Sequence, residues 1–487
     1  MKDSTTLNSE PFNIRLASYR LFNEYLSFYC EKPKTKEPGS INIDFESITH
    51  REGEPLSGLR IAVDLTPMLP GAENGGAKLM TLELIRAMAE LLPQTNFHLL
   101  TAEGSHDELE DLEAKFPNIN RLCVFHTAVS PLSTTIGETS LRVKVKDQIK
   151  AVGRRVLPHQ VKQIVKKMLN RTPSISRSSK QLSQIGADML FCPFTAPFYA
   201  DGKTPLVSVI YDLQYRTYPQ FFTPEELYRR EDAFKDACKN ANHLVAISKY
   251  VQNTVMEASG LSDQQVSAVT IGLFRDPEQN FNNETTRSLF SKYNLAQGEY
   301  LIFPANFWDH KNHSMLLTAF NIYKKDHPDS KLKLVCTGAP GSSAEKFCQQ
   351  VQQMGLSDSV IYPGFVSPNE YDGLIKNSYA LIFPSLYEGF GIPVLEAMAA
   401  GVPVLCSNVT SLPEVGGDAV LYFDPRKPVE IVNVIDRLVQ EPGLRASLAA
   451  KGIQQSRTFE GPKRMAQEYL AIFSKVMQFQ IKKAKSK

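Results

Sequence analysis

The feature that most constrains this chain is a strand–helix rhythm that runs twice. RIAVDL, from Arg60, is followed by the loop TPMLPGAENGGAK and then by a helical pattern through Leu79, Leu82, Leu84, Ile85 and Met88. Strand, glycine loop and helix open an α/β unit. FHLLT, RLCVFH, ADMLFCP, PLVSVIYDL, HLVAIS and SAVTIG continue the series, most of them separated by helical stretches. Short apolar runs of this kind suit strands covered on both faces, so a doubly wound parallel sheet is expected. After Gly272 the chain turns polar, in FRDPEQNFNNETTRS, and the rhythm restarts with YLIFPAN, KLKLVCTG, SVIYPGF, YALIFPS, PVLCSN and AVLYFDP. A chain of 487 residues is too long for one ordinary core, so two domains are expected, with a cleft between them. Ligands of open parallel sheets sit beyond the carboxyl ends of the strands.

Composition excludes several alternatives. Apolar residues make up 42% and charged residues 22%, as in globular proteins, and the net charge of +2 gives no field for nucleic acid. The seven cysteines are scattered and mostly lie in apolar runs, which predicts buried free thiols in a reducing cytoplasm rather than a disulfide framework. No Cys/His cluster has zinc spacing; His310 and His313 lie three apart but have no third ligand nearby in sequence. MKDSTTLNSEPF lacks the apolar segment of a signal peptide, and no apolar run reaches the ~18 residues of a membrane span.

The chemistry concentrates in PSLYEGFGIPVLEAMAAGVPVLCSN, residues 384 to 408. Pro393 suits the first turn of a helix and Gly401 its stop, which predicts a helix from about Pro393 to Ala400. Such an N-terminus carries free N–H groups and partial positive charge, an anion site. Gly389 and Gly391 would let a ligand approach the backbone of Phe390, Gly391 and Ile392. Glu396, about one turn in, can accept hydrogen bonds from a diol such as a ribose, while Glu388 lies before the helix, on the other side of the phosphates. A diol, a diphosphate and a further polar group describe a nucleotide-sugar. YLIFPANFWDHKNHSMLLTAF adds Asn306 and Lys311 beyond a strand end, where the lysine could neutralise a diphosphate leaving group. Gly338, Phe365 and Val366, at the ends of the next two strand-like runs, are counted with the donor site.

SLYEGFGIPVLEAMAAGVPVLCSN followed by SLPEVGGDAVLYFDP resembles family 4 of the glycosyltransferases. The resemblance covers roughly residues 56 to 475. It implies the GT-B fold: α/β, two Rossmann-like parallel-sheet domains facing a cleft. The N-terminal acceptor domain would span 56–280 and the C-terminal donor domain 281–460, after an N-terminal helical extension and linker at 1–55. A last helix at 461–478 would pack back on the first domain through Met465, Tyr469, Ile472 and Phe473. The Glu-x7-Glu signature falls on Glu388 and Glu396, and the basic phosphate site on Lys311. The companion of that lysine is usually Arg in the family; here Asn306 stands in the corresponding region. Gly75 and Gly76 match the loop that approaches the donor phosphate and acceptor. The family's His-Asp pair has become Tyr211 and Asp212, so only the aspartate fits.

The resemblance implies retaining transfer of a sugar from a nucleoside-diphosphate donor to a hydroxyl acceptor, with no cofactor and no obligatory metal. No Asp-x-Asp motif is present. Glu388 then reads as a holder of donor-sugar hydroxyls. GDP-mannose is the first choice of donor, on the FPANFWxHKN pattern; a UDP- or dTDP-sugar follows. The acceptor is expected to be a glycan or a lipid-linked saccharide of a bacterial surface polysaccharide. A degenerate binder of nucleotide-sugars and a sugar-nucleotide epimerase remain open, whereas a dehydrogenase lacks its Gly-x-Gly-x-x-Gly order. Residues 141 to 180 hold twelve Lys or Arg and one acid, with Leu157, Val161, Ile164, Val165 and Met168 on one helical face. This basic amphipathic stretch reads either as a surface helix packed on the first domain or as a peripheral membrane contact through 156–170, at the inner face of the membrane.

Overall fold

Every strand-like run forms a strand, and among the described residues every strand pairs in parallel. The computed structural model describes residues 56–71, 74–125, 178–274, 283–459 and 461–485. In the first half, β1 (Arg60–Asp64), β2 (Asn96–Ala102), β3 (Ile119–Phe125), β4 (Met189–Cys192), β5 (Leu206–Ile210), β6 (His243–Ala246) and β7 (Val266–Ala268) form a sheet in the order β3-β2-β1-β4-β5-β6-β7. In the second half, β8 (Tyr300–Pro304), β9 (Lys333–Thr337), β10 (Val360–Gly364), β11 (Ala380–Phe383), β12 (Val404–Ser407) and β13 (Leu421–Phe423) form a sheet in the order β10-β9-β8-β11-β12-β13. The expected N-terminal helical extension and linker at 1–55 and the amphipathic stripe at 156–170 lie outside the described residues.

The apolar runs are continuous because their strands are covered on both faces. β4, β5, β6, β8, β11 and β12 are buried along their whole length. Each sheet reverses its strand order once, between β1 and β4 in the first and between β8 and β11 in the second. Loops diverge at such a switch point and leave a crevice at the carboxyl ends of the strands.

The chain returns to the first sheet at its end. The helix Pro462–Lys485 packs on the helix Gly76–Leu91. Met465, Tyr469, Ile472 and Phe473 are fully buried, and Phe191 of β4 meets Tyr469 and Phe473 edge-on at 5.7 and 5.2 Å. Burying each such aromatic contributes about 1.5–3 kcal/mol, enough to hold the crossing helix in place. Arg464 fixes its register by donating from Nη2 to the carbonyl of Thr270 at 2.7 Å.

A second tie links the two sheets directly. The carboxylate of Glu414 accepts from the backbone N–H groups of Lys249 (2.8 Å) and Tyr250 (3.0 Å), the first turn of the helix Lys249–Ser259. Among the described cysteines no disulfide forms; Cys192, Cys336 and Cys406 are buried, and Cys348, against the expectation of burial, is exposed.

Candidate functional site

The loop after β8 carries Lys311 and the loop after β11 carries Glu388, so the switch point of the second sheet brings both into one place. Lys311 Nζ stands 2.6 Å from Glu388 Oε1, with the side chains 12% and 11% exposed. Lys311 also lies 5.2 Å from the centroid of the Phe383 ring, at the end of β11. Asn312 makes this approach possible. It takes a left-handed conformation (φ 65°), and its Nδ2 donates to the carbonyls of Pro384 (3.1 Å) and Pro425 (2.8 Å). Leu386 N completes the tie by donating to the carbonyl of His310 at 2.7 Å.

The helix that follows runs Ile392–Ala399, one residue earlier than the sequence suggests, because Gly391 takes the N-cap with φ 112°. Its entry loop is clamped from the loop after β12. Thr410 Oγ1 accepts from Glu388 N at 3.0 Å, and the Ser411 hydroxyl lies 3.0 and 2.9 Å from the carbonyls of Glu388 and Phe390. Both glycines line the cavity described below, and protein packing demands them as well. A β-carbon on Gly389 would meet the Tyr211 carbonyl oxygen at 2.2 Å, and one on Gly391 would meet Leu412 Cδ2 at 2.6 Å. Glu396 receives a 2.5 Å hydrogen bond from the hydroxyl of Tyr371, on the helix Pro368–Lys376.

The first sheet contributes from across the cleft. Gly76 begins a helix whose first residue touches Ile392, the first residue of the helix opposite; a β-carbon on Gly76 would stand 2.7 Å from Ile392 Cδ1. Two helix N-termini of partial positive charge therefore meet at the cleft. Asp212, after β5, accepts from Gln214 N at 2.8 Å. Burial pushes its carboxyl above the usual range, with Glu388 adding to the rise and the Gln214 bond, Arg230 and Lys311 opposing it. Burial and then the Lys311 charge push His310 down to about 4, so its ring is neutral at pH 7.

These groups line one cavity of about 970 Å³, which takes in Gly75, Gly76, Asp212, Asn306, Lys311, Phe365, Val366, Glu388, Phe390, Gly391, Ile392 and Glu396. Gly338 is the exception among the expected residues. It packs behind the wall, where a β-carbon would lie 2.7 Å from the carbonyl oxygen of Ala305. Asn306 is fixed by accepting from Ala339 N at 2.9 Å. A second cavity of about 710 Å³ shares Asn306, Trp308 and Phe365 with the first. Trp308 and Phe365 are 48% and 63% exposed, so two large apolar faces border it.

Several lining residues carried no clear signal in sequence: Tyr371, His310 and Arg230. Arg230 lies on the helix Pro224–Asn240, whose start was readable from Thr223, Pro224 and Glu226 as a capping box; which face meets the cleft was not. Among the described residues no group of three or more His, Cys, Asp or Glu is placed to hold a metal ion, and no helix is long and apolar enough to cross a membrane.

Residues 286–455 match the family described as "Glycosyl transferases group 1". Over 253 residues the chain is 27% identical to O-antigen chain mannosyltransferase B of Escherichia coli, covering 52% of this chain and 66% of that protein. It is also 27% identical over 233 residues to O-antigen chain mannosyltransferase RfbU of Salmonella typhimurium, covering 48% and 60%. The matched stretch thus spans less than two thirds of either relative. Among solved structures, Anabaena Alr3699/HepE in complex with UDP and glucose superposes with a TM-score of 0.62 at 15% identity, covering 86% of this chain and all of that one.

Proposed function

We propose that the chain, whose two facing parallel sheets are the GT-B fold, is a retaining glycosyltransferase of family 4. It moves a sugar, mannose first, from a nucleoside diphosphate, GDP first, to a hydroxyl of a glycan or lipid-linked acceptor in the synthesis of a bacterial surface polysaccharide or glycolipid. The observation that carries this reading is the gathering of Lys311, Glu388 and Glu396 around the N-terminus of the helix Ile392–Ala399. The O-antigen mannosyltransferases among the relatives supply the sugar and the setting.

In this reading the diphosphate lies against the helix N-terminus. Negative charge grows on it as the glycosidic bond breaks, so Lys311 and the backbone N–H groups act most strongly in the transition state. Glu388 holds hydroxyls of the donor sugar, Glu396 those of the ribose, and Asp212 faces the acceptor from the first sheet. Retention requires the acceptor oxygen to arrive on the face from which the diphosphate leaves. The departing phosphate oxygen is then placed to take the acceptor proton. No metal is required for leaving-group stabilisation, so activity should survive EDTA. The cytoplasm is the proposed location, with 156–170 as a membrane contact tested by co-sedimentation with anionic vesicles.

A thermal-shift panel of GDP, UDP and dTDP tests the donor, because a ligand that binds only the folded chain raises its melting temperature. The largest shift is expected with GDP. Should none of the three move the transition, the donor-site reading falls.

A further inference from the structure

We propose that Arg230, carried by the first sheet's domain, is the second cation for the donor diphosphate, opposite Lys311. The inference rests on the donor-site reading above and adds to it a residue that the sequence pattern does not supply.

The cations of the cavity differ in what already binds them. Among the described residues its basic side chains are Lys78, Arg230 and Lys311, together with the neutral His310. Lys78 is committed to Glu108 and to the carbonyls of Leu69 and Gly71. Lys311 is committed to Glu388. Arg230 has no carboxylate partner among the described residues, and the acids beside it explain why. Glu226, one turn earlier on the same helix and on the cavity wall, closes the capping box by accepting from Thr223 N and Oγ1 at 2.8 and 3.0 Å. Glu231 turns inward and is saturated by Arg216, by the Tyr215 hydroxyl and by Lys235.

The guanidinium is nevertheless held. Its carbon lies 4.7 Å from the centroid of the Phe222 ring, and Phe222 also lines the cavity. An arginine stacked on an aromatic ring keeps its planar donors in one orientation, which lowers the entropy lost when they bind an oxyanion. Its charge acts in both domains: it opposes the rise of Asp212 on its own side and helps depress His310 on the other.

Among the described residues the second domain offers no replacement on the cavity wall. Asn306 is uncharged, and its side-chain oxygen is taken by Ala339 N. The diphosphate carries more negative charge than one lysine balances, and that lysine is shared with Glu388. A guanidinium contributed from the opposite domain supplies the missing charge in bidentate form. It also makes the diphosphate itself a link between the domains.

The test is calorimetric titration of the full chain with the nucleoside diphosphate that wild type binds most tightly among GDP, UDP and dTDP, and with the matching nucleoside. Arg230→Met should weaken the diphosphate by about 10- to 100-fold and leave the nucleoside unchanged, as expected for loss of one charge-assisted contact. Arg230→Lys should recover part of the loss, since the charge returns without the planar fork. The melting temperature of both variants should stay at the wild-type value, because the side chain is exposed. A variant that binds the diphosphate as wild type does overturns the assignment alone and leaves the donor site standing. Unchanged nucleotide affinity with a raised acceptor KM would move Arg230 to the acceptor and overturn it equally. A wild type that binds none of the three diphosphates overturns both.

Discussion

Lys311 and Glu388 are each other's counterion, at 2.6 Å, although 77 residues separate them in sequence. The pair joins the loops after β8 and β11 and is largely shielded from water. Lys311→Met would leave the Glu388 carboxylate shielded and unpaired, so it should cost about 1–3 kcal/mol of stability. Adding Glu388→Gln should return part of that loss, because the stranded charge is removed with its partner. Denaturant titration of the two single variants and the double variant checks this. Additive losses would show that the pair contributes no coupling. Sugar transfer should fall steeply in all three.

Glu414 makes the corresponding link between domains. Its carboxylate caps two N–H groups of a helix that belongs to the first sheet. Glu414→Ala should cost about 0.5–2 kcal/mol, the range for losing a helix cap, and Glu414→Gln less, since an acceptor oxygen remains. The loss should appear as easier opening of the cleft. In small-angle scattering the alanine variant should show the larger radius of gyration. Identical scattering and melting for both variants would make the cap incidental.

The sequence revealed the frame because the frame is written in local signals. Apolar runs, glycine stops and proline starts decide strands and helices over a few residues, and the thirteen strands among the described residues follow from them. Glu388, Glu396 and Lys311 were legible because a glycine-bracketed helix start and a strand end fix their positions. Their partners were not legible. The contact of Lys311 with Glu388 depends on β8 pairing with β11, which no local pattern states. The packing demand on Gly389 was not legible for the same reason: the atom that needs the space is the carbonyl of Tyr211, from the other domain. Arg230 is one arginine on an otherwise ordinary charged helix, and only the apposition of the domains gives it a site. Gly338 was placed one layer too far forward, since a residue at a strand end can face the wall as readily as the cavity.

Asp64 should give the chain an acid-favoured component of stability. It sits at the end of β1, fully buried, with Oδ1 bonded to Thr66 and, among the described residues, no hydrogen-bond partner on Oδ2. Burial pushes its carboxyl up to about 7 from an ordinary 3.8. Between those values the folded chain keeps a proton that the unfolded chain gives up. The stabilisation is therefore complete below the unfolded value and is lost as pH rises through about 7. Depressed histidines, His243 and His310 among them, act in the opposite sense at lower pH. The difference between wild type and Asp64→Asn isolates the carboxyl: wild type should lose melting temperature from pH 5 to pH 8 relative to the variant. Parallel curves would mean that Asp64 stays ionised.

Glu396 and Tyr371 together test the ribose end of the site. Tyr371 donates to Glu396 Oε2 at 2.5 Å, and that bond orients the carboxylate one turn into the helix Ile392–Ala399. A charged acceptor that binds a diol loses most when its charge is removed, so Glu396→Gln should weaken the nucleoside diphosphate by about 1–3 kcal/mol. Tyr371→Phe leaves the charge in place and removes only its orientation. It should weaken binding by a smaller step, and combining it with Glu396→Gln should add little, because the tyrosine acts through the glutamate. The 2′-deoxy nucleotide separates the contact from a general field. It should bind wild type more weakly than the ribonucleotide does, yet lose less on going to Glu396→Gln, since one of the hydroxyls that the carboxylate receives is already absent. Equal losses for the two nucleotides would place Glu396 away from the ribose, with its charge felt through the helix alone.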